Sequence, residues 1–385
     1  MNDIQKFTIE LIRYEICNIP VDSHLVSIAD DEMLEAVYDF AIKIDMGYIV
    51  ASALSKLNLL SSEAKAAFFN EQLATIYRYE ALKYDLESIS KLFEEEGIDF
   101  IPLKGSIIRE YYPKPEMRTS CDIDILVHKS DLKKGRVLLE DNLGFVYNDK
   151  CGHDISFWSP TQTEIELHHT LFEHDFDEKE QLDKVWDYTQ SVDGYKYKFE
   201  LDKAFFMFYH IVHMAKHVRT GGCGVRPLLD LVILEEKFGY DKDAFQKMIA
   251  DAGLQVFSQK MFDVAHMWFG TMEPDETSYL MAEYVFGAGA YGSVENQVAR
   301  TQLKKGSGVK SVISRIFISR KELGVMYPVV AKHPVLTPVF EIVRWGRIIF
   351  KDKAKKQMAI IKHNATMDKT KIDKVDRLFS NLGLK

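Results

Sequence analysis

Apolar side chains recur at intervals of three or four residues through the first part of the chain. Between Ala64 and Phe93 this spacing is typical of an amphipathic helix. The apolar positions there include Leu73, Ile76, Tyr77, Leu82, Tyr84 and Leu86. Gly97 follows three glutamates and favours the left-handed conformation that ends helices. We therefore predict a helical region over residues 1–96.

Beyond Gly97 the spacing of apolar residues shortens, and brief alternating runs predict strands separated by helices. The predicted strands cover residues 98–103, 122–127, 145–147, 155–158 and 163–169. The predicted helices between them cover residues 107–112 and 131–140, the second with Ser130 as its N-cap. This succession indicates a small mixed sheet with helices packed on one face. Helical spacing returns from Leu201, over residues 205–216, 227–237 and 244–252.

These patterns predict an α+β protein in three parts. Residues 1–96 form an N-terminal helical region and residues 97–195 form an α+β core. Residues 196–385 form a C-terminal helical region that ends in a basic tail. A chain of 385 residues is long enough to form two or three domains.

Residues of the predicted core suggest phosphate and metal chemistry. Gly105 and Ser106 form a turn that opens a helix, where free N–H groups suit phosphate oxygens. In the strand at 122–127, Asp122 and Asp124 point to the same side. Adjacent carboxylates repel each other unless a cation lies between them, and oxygen ligands in a nucleotide site favour Mg²⁺ or Mn²⁺. Together these elements indicate nucleotidyl transfer.

A family resemblance rests on the same residues. The run Leu103-Lys-Gly-Ser106, followed by Arg118-Thr-Ser-Cys-Asp-Ile-Asp-Ile-Leu-Val127, resembles the signature of DNA polymerase β-like nucleotidyltransferases. More narrowly, residues 99–170 are similar to a bacterial family described only as uncharacterised nucleotidyltransferases. The resemblance implies a polymerase β-like core that transfers a nucleoside monophosphate from a nucleoside triphosphate to a hydroxyl acceptor, releasing pyrophosphate. It identifies neither the base nor the acceptor, which could be a small molecule or a protein.

A third metal-binding acid is expected on the strand at 163–169. Alternation along that strand places Glu164, Glu166 and His168 on one face. If the strand runs antiparallel beside the aspartates, Glu166 can bind the metal and accept the proton of the acceptor hydroxyl. The resemblance assigns the family's acidic-x-His pair to Glu166 and His168, although the family acid is more often Asp. Glu164 is the alternative third acid.

Cations are expected around the phosphates. Lys104 and Arg118 are predicted to neutralise triphosphate charge, because phosphoryl chemistry requires fixed cations near developing negative charge. Each could instead be an ordinary surface cation. Gly105 and Ser106 would donate N–H and hydroxyl groups to the phosphates. Arg226, at the start of a predicted helix, could contact the nucleotide or bridge to the core.

Two other functions fit parts of the sequence. His210, His213 and His217 share one helix face through i, i+3 and i+7 spacing. With Asp230 they could form the metal site of a hydrolase, but histidines that pack on a half-buried helix explain the same pattern. The other alternative is a degenerate nucleotidyltransferase fold that binds nucleotide or a partner without turnover.

Charge is distributed unevenly along the chain. The net charge is −9, yet residues 300–385 hold 20 Lys/Arg against 6 Asp/Glu. Residues 339–350 are amphipathic and precede a lysine-rich segment at 351–356. This stretch could lie on an anionic membrane, or it could pack in the core ahead of a solvated tail. Nucleic acid is not an expected partner, because aromatic interleaving is sparse and the remaining chain is acidic.

The cysteines and the first residues of the chain help to predict the cellular compartment. The four cysteines, Cys17, Cys121, Cys151 and Cys223, are scattered and predict reduced thiols. The first residues lack the basic start and apolar stretch of a secretion signal. Apolar runs stay well short of the roughly 18 residues that cross a bilayer. A cytoplasmic protein is therefore expected.

Overall fold

The computed structural model describes residues 1–150, 154–171, 178–287, 293–305, 317–350 and 367–384. The helices of these ranges are α1 (Asp3–Cys17), α2 (Ser23–Ile28), α3 (Asp31–Lys43), α4 (Gly47–Lys56), α5 (Ser62–Glu96), α6 (Gly105–Ile108), α7 (Leu132–Leu143), α8 (Lys179–Leu182), α9 (Lys203–Thr220), α10 (Arg226–Lys237), α11 (Lys242–Asp251), α12 (Gln255–Phe269), α13 (Glu276–Phe286), α14 (Val294–Lys305), α15 (Arg320–Met326), α16 (Pro328–Lys332), α17 (Thr337–Phe350) and α18 (Lys369–Asn381). Turns of 3₁₀ helix lie at Arg109–Tyr111, Pro115–Met117, Val185–Tyr188 and Pro334–Leu336. The strands are β1 (Phe100–Pro102), β2 (Asp122–Val127), β3 (Val146–Lys150), β4 (Asp154–Trp158), β5 (Glu164–His168), β6 (Thr189–Ser191) and β7 (Phe199–Leu201).

The main sheet has the strand order β1-β2-β5-β4-β3, and β6 pairs with β7 in a separate hairpin. Strands β2 and β5 are parallel, whereas the other neighbours in the main sheet are antiparallel. The sheet is therefore mixed, and helices precede and follow it along the chain. The predicted α+β class, with a small mixed sheet and helical flanks, is confirmed.

The direction of β5 differs from the prediction. Beside the aspartate strand β2 the expected neighbour was antiparallel, but β5 runs parallel to it. The reason is the connection between the strands. Helix α7 returns the chain so that β3 runs in the same direction as β2. Strands β4 and β5 then follow as a meander, each antiparallel to the strand before it. Two reversals after β3 leave β5 pointing along β2, and it fits between β2 and β4.

The two faces of the sheet differ sharply in character. Ile123, Ile125 and Val127 point to one face, where α5 and α7 pack over them in a continuous apolar core. Phe93 of α5 is fully buried there, with its ring 5.7 Å from that of Phe100 on β1. Because side chains alternate along a strand, the intervening residues of β2 face the other way. Because α5 covers the apolar face, Asp122 and Asp124 lie on the opposite face of the sheet.

The predicted cap of α7 is wrong by one residue. Ser130 was expected to be the N-cap, but Asp131 occupies that position and its side chain makes no capping hydrogen bond. The N–H of Asp131 instead donates a hydrogen bond to the carbonyl of His128 at 2.9 Å, within a turn. The chain therefore enters α7 from a turn with helical dihedral angles, and no side chain is positioned to cap the first N–H groups.

The chain divides into two compact units. One comprises residues 1–215 and 225–275, and the other comprises residues 216–224 and 276–385. The predicted three-part division at residues 96 and 195 stays a prediction. Among the described residues, every helix is too short or too polar to cross a lipid bilayer. The cytoplasmic location also stays a prediction.

Candidate active site

The Gly-Ser turn is held against the aspartate strand by the backbone. The N–H of Leu103 donates to the carbonyl of Asp124 at 3.0 Å, which extends the contact between β1 and β2 by one residue. Lys104 follows with φ 44° and ψ −111°, a conformation that side-chain-bearing residues rarely adopt. Strain of this kind costs about 1–3 kcal/mol and persists where the surroundings impose it. Here it turns the chain abruptly into α6.

Lys104 forms an ion pair with Asp124. Its Nζ lies 2.9 Å from Asp124 Oδ1, and the carboxylate is almost completely buried. Burial alone would lower the pKa of Lys104, but the carboxylate of Asp124 raises it above the ordinary value. For Asp124, burial acts to raise the pKa, but Lys104 and His168 outweigh it and hold the pKa well below its usual range. Both groups are therefore charged at neutral pH.

Three possible metal ligands converge on the same face of the sheet. The parallel register pairs Asp124 with Glu166 on β5, and His168 is the next residue of β5 on that face. His168 Nε2 lies 2.8 Å from Asp124 Oδ1 and 3.2 Å from Glu166 Oε2. One ligand atom from each of the three residues lies within 4.8 Å of the others. The predicted meeting of Asp124 and Glu166 is therefore present, with His168 as a direct member.

Asp122 lies at the start of this row, opposite Glu164. Burial raises the pKa of Asp122 to about 6, and the neighbouring carboxylate of Asp124 adds to the shift while Lys104 opposes it. Glu164, the alternative third acid, accepts a long hydrogen bond from Asn148 Nδ2 at 3.4 Å. Since Glu166 rather than Glu164 joins the group of close ligand atoms, the geometry favours Glu166.

The donor set fits a divalent cation. Two carboxylates and one imidazole supply oxygen and nitrogen ligands at short mutual distances. Oxygen ligands suit Mg²⁺, and an imidazole in the set extends the range toward Mn²⁺ and other transition metals. Lys104 and His168 both contact Asp124 Oδ1, so a cation that uses this oxygen must displace or share those contacts.

Arg118 is a structural anchor beneath the turn. Its Nε and Nη2 bind the two carboxylate oxygens of Asp230 on α10 at 2.9 and 2.8 Å, and both side chains are buried. Tyr112 donates a further hydrogen bond to Asp230 at 2.8 Å. A Cβ at position 105 would lie only 2.7 Å from Arg118 Nη1, so Gly105 permits this close packing. We interpret Arg118 as a positioning residue, and its contact with nucleotide stays a prediction.

Two more arginines brace this part of the site. Arg109 donates from Nε to the carbonyl of Gly105 at 2.8 Å and from Nη2 to Ser120 Oγ at 2.6 Å. Arg226 pairs with Asp45 and also donates to Thr119 Oγ1 at 2.9 Å. Arg226 therefore connects α10 to Asp45, in the turn between α3 and α4, and to Thr119. Its contact with nucleotide stays a prediction.

The histidines of α9 do not assemble a second metal group with Asp230 in the described part of the chain. His210 Nε2 lies 3.2 Å from the carbonyl of Pro227, and burial lowers its pKa. Tyr209 of α9, which the sequence did not single out, lies close to Lys104 and to the acidic group instead. Burial raises the pKa of Tyr209 to about 12, although nearby Lys104 opposes the shift. Tyr209 is one of several aromatic residues in an apolar helix, so its spacing in the sequence does not indicate a role in the site.

A cleft of about 600 Å³ opens beside the Gly-Ser turn. Its walls come from α5, from the 3₁₀ turn after α6 and from the hairpin between β6 and β7, and Ser106 borders it. The lining combines charged groups with tyrosines and aliphatic side chains. The buried hydroxyl of Ser90 also lines the cleft and finds no hydrogen-bond partner within the described ranges. These features suit a small polar ligand.

Comparison with known proteins gives one match. Residues 30–270, more than half of the chain, match the model of a family described as uncharacterised nucleotidyltransferase. The chain matches none of the curated proteins and none of the solved structures to which it was compared. The family region includes the main sheet, the Gly-Ser turn, Asp45 and the helix that carries Asp230.

The Arg118–Asp230 pair predicts a measurable difference between buried and exposed ion pairs. Asp230→Asn removes the countercharge of buried Arg118, and we expect it to lower the free energy of unfolding by about 3–5 kcal/mol. Glu140→Gln is the matched control, because Glu140 also binds an arginine, Arg136, through two contacts but at the surface. That change should cost less than about 1 kcal/mol. Urea unfolding of both variants tests this, and equal losses would contradict it.

The protonation of Asp122 predicts how metal binding depends on pH. A carboxylate must lose its proton to bind a cation, and Asp122 holds its proton up to a pKa of about 6. Binding of Mn²⁺ should therefore tighten by about tenfold between pH 5 and pH 8 through this group alone. The raised pKa of His168 acts in the same direction, since only neutral imidazole is a ligand.

Titration calorimetry with Mn²⁺ at both pH values provides the measurement. Asp122→Asn should remove the tenfold contribution, whereas Asp141→Asn, at an exposed position of α7, should preserve it. An affinity of the unmodified protein that does not change with pH would refute the assignment of Asp122 to the metal site.

Proposed function

The chain belongs to the family of uncharacterised nucleotidyltransferases, as the sequence resemblance predicted, and from this membership and the site geometry we propose its reaction. The protein transfers a nucleoside monophosphate from a nucleoside triphosphate to a hydroxyl acceptor in a metal-dependent reaction and releases pyrophosphate. The observation that carries the proposal is the group formed by Asp124, Glu166 and His168 next to Lys104 and the Gly-Ser turn. Acids and a fixed cation beside a phosphate turn are what such a transfer requires.

The acidic residues have two proposed roles, which are metal binding and proton transfer. Asp122, Asp124 and Glu166, with His168 as an additional ligand, would hold Mg²⁺ or Mn²⁺. When bound, the cation neutralises phosphate charge and makes the acceptor hydroxyl more acidic. Glu166 is less buried than Asp124, so it can accept the proton as the acceptor oxygen attacks the α-phosphorus. The bond between the α-phosphorus and the bridging oxygen breaks, and pyrophosphate leaves.

The residues of the Gly-Ser turn would bind the triphosphate. Gly105 and Ser106 donate backbone N–H groups, and Ser106 adds its hydroxyl. The ammonium of Lys104, which contacts Asp124, would neutralise the charge of a phosphate oxygen. The buried hydrogen bonds of Arg109 and Arg118 would keep the turn in place.

A binding module without turnover is the second candidate, and one observation favours it. Lys104 and His168 both contact Asp124 Oδ1, so protein groups compensate the charge of this carboxylate. A protein that kept these contacts throughout would bind nucleotide through Lys104 and the turn but would not release pyrophosphate. The hydrolase alternative gains no comparable support from the histidines of α9.

Loss of one carboxylate charge should abolish transfer. We expect Asp124→Asn to reduce label transfer from α-labelled nucleoside triphosphates by at least about 100-fold, because the substitution weakens metal binding at the centre of the group. The assay supplies each of the four nucleotides, Mg²⁺ or Mn²⁺ and a cell lysate as the source of acceptors. Asp141→Asn on the surface of α7 is the matched control and should transfer normally.

The outcomes separate the two candidates. Label transfer with pyrophosphate release in the unmodified protein, lost in Asp124→Asn, supports the transferase. Metal-dependent nucleotide binding without pyrophosphate release favours the binding module. Full transfer by a folded Asp124→Asn protein would overturn the proposed site, and urea unfolding of the variant establishes that it is folded.

A further inference from the structure

The cleft beside the Gly-Ser turn lies on the side of the main sheet that α5 covers. Ile123 lines the cleft, and its side chain belongs to the apolar core between the sheet and α5. Since side chains alternate along β2, Asp122 and Asp124 project from the other face of the sheet. The cleft is therefore distinct from the acidic group. All its lining residues lie within the described ranges, whereas the lysine-rich segment at 351–356, whose membrane contact stays a prediction, lies outside them.

Four buried residues form the floor of the cleft, and two of them are polar: Leu82, Ser90, Arg109 and Ile123. Ser90 is 3% exposed, and its hydroxyl forms no hydrogen bond within the described ranges. A buried hydroxyl without a partner costs free energy, which a hydrogen bond to a ligand would recover. At about 600 Å³ the cleft has room for an organic molecule and not only for an inorganic ion.

Arg109 is a buried cation without a countercharge. It is 5% exposed, and its two hydrogen bonds go to uncharged acceptors, the carbonyl of Gly105 and the hydroxyl of Ser120. Among the described residues it forms an ion pair with no carboxylate, in contrast to Arg118, which binds both oxygens of Asp230. Burial lowers the pKa of Arg109 to about 10, and Arg118 adds to the shift. The positive charge at the floor is therefore left for a ligand to compensate.

Lys198, which precedes β7, is a second cation of this kind in the cleft wall. It is half-buried, and no acidic residue of the described chain pairs with it. Burial lowers its pKa, and Glu87 and Glu200 oppose the shift only in part. Its Nζ lies 4.7 Å from the centre of the Tyr195 ring, and the Arg109 guanidinium lies 5.8 Å from that of Tyr79. Aromatic rings stabilise cations more weakly than carboxylates do, so both charges remain available to an anion.

The acidic residues that line the cleft do not pair with these two cations. Glu94 accepts hydrogen bonds from two backbone N–H groups of the hairpin at 2.7 and 2.9 Å. Glu95 pairs with Lys91 at the surface of α5. Glu87 and Glu110 are exposed, so they lie at the rim. An anion that reaches the floor would meet positive charge there, while the negative charges stay near solvent.

We propose that the cleft binds a small organic phosphate monoester that also carries hydroxyl groups. Its phosphate would contact Arg109 and Lys198, because a phosphate monoester carries a charge of about −1.5 to −2 and thus matches two cations. One of its hydroxyls would contact Ser90. This site goes beyond the proposed transfer reaction and does not depend on it. Because Arg109 also holds the carbonyl of Gly105, the ligand would contact the support of the Gly-Ser turn.

Calorimetric titration of the full chain with glucose 6-phosphate tests the proposal. Metal and nucleotide are left out, so the result does not depend on transferase activity. We expect glucose 6-phosphate to bind at least about tenfold more tightly than either glucose or inorganic phosphate. Lys198→Gln should weaken this binding at least about fivefold. Lys203→Gln is the matched control, because Lys203 is also half-buried over an aromatic ring, that of Phe238, but lies outside the cleft; its affinity should be unchanged.

Ser90→Ala adds a signature that a purely structural residue would not give. The substitution should weaken glucose 6-phosphate binding at least about threefold, because the ligand loses a hydrogen bond. Without ligand it should raise the urea midpoint of unfolding, because an unsatisfied buried hydroxyl is removed. A lower midpoint would count against the site.

Three results of the titrations would overturn the proposal. The first is equal affinity for glucose and glucose 6-phosphate, or for inorganic phosphate and glucose 6-phosphate. The second is unchanged binding by a folded Lys198→Gln protein. The third is complete displacement of glucose 6-phosphate by a nucleoside triphosphate, which would make the cleft part of the nucleotide site.

Discussion

The charge of buried Asp124 is the constraint on which the site depends. A carboxylate at this depth is costly unless cations and hydrogen-bond donors compensate it. The fold provides both from two directions: Lys104 from the turn after β1 and His168 from β5 each contact the same oxygen. The strained backbone of Lys104 and the parallel register of β5 are the structural means by which those contacts are made. A cation that bound Asp124 would therefore replace one set of positive groups by another.

Residues outside the sheet region also hold the Gly-Ser turn in place. Asp230 on α10 binds Arg118, Arg118 packs against Gly105, and Arg226 at the start of α10 reaches Asp45 near the N-terminus. A turn that is proposed to bind a triphosphate through its N–H groups would need a fixed position, since small displacements weaken catalysis severely. Glycine at 105 is required here by the close approach of a guanidinium, a reason independent of phosphate binding.

Local patterns predicted the limits of β2 and which side chains share a face of the sheet, whereas long-range connections escaped prediction. The strand limits of β2 and the shared face of Glu164, Glu166 and His168 follow from two-residue alternation, which nearest neighbours determine. The direction of β5 depends on a helix and two reversals that lie between it and β2, and no alternation encodes that. The partnership of Arg118 with Asp230 joins residues 112 positions apart, so the sequence offered both as candidates without linking them.

The same limit explains why α17 could be read in two ways. An amphipathic helix has one apolar face whether it packs inward or lies on a surface, and periodicity alone does not distinguish these cases. The distinction requires knowing which face is already occupied, and here the buried pair of Glu341 and Arg344 occupies the side next to Phe340. The inner side therefore carries Phe340 as well as the ion pair, whereas Ile342 on the other side is exposed. Only the packed structure distinguishes these two faces, because both contain apolar residues.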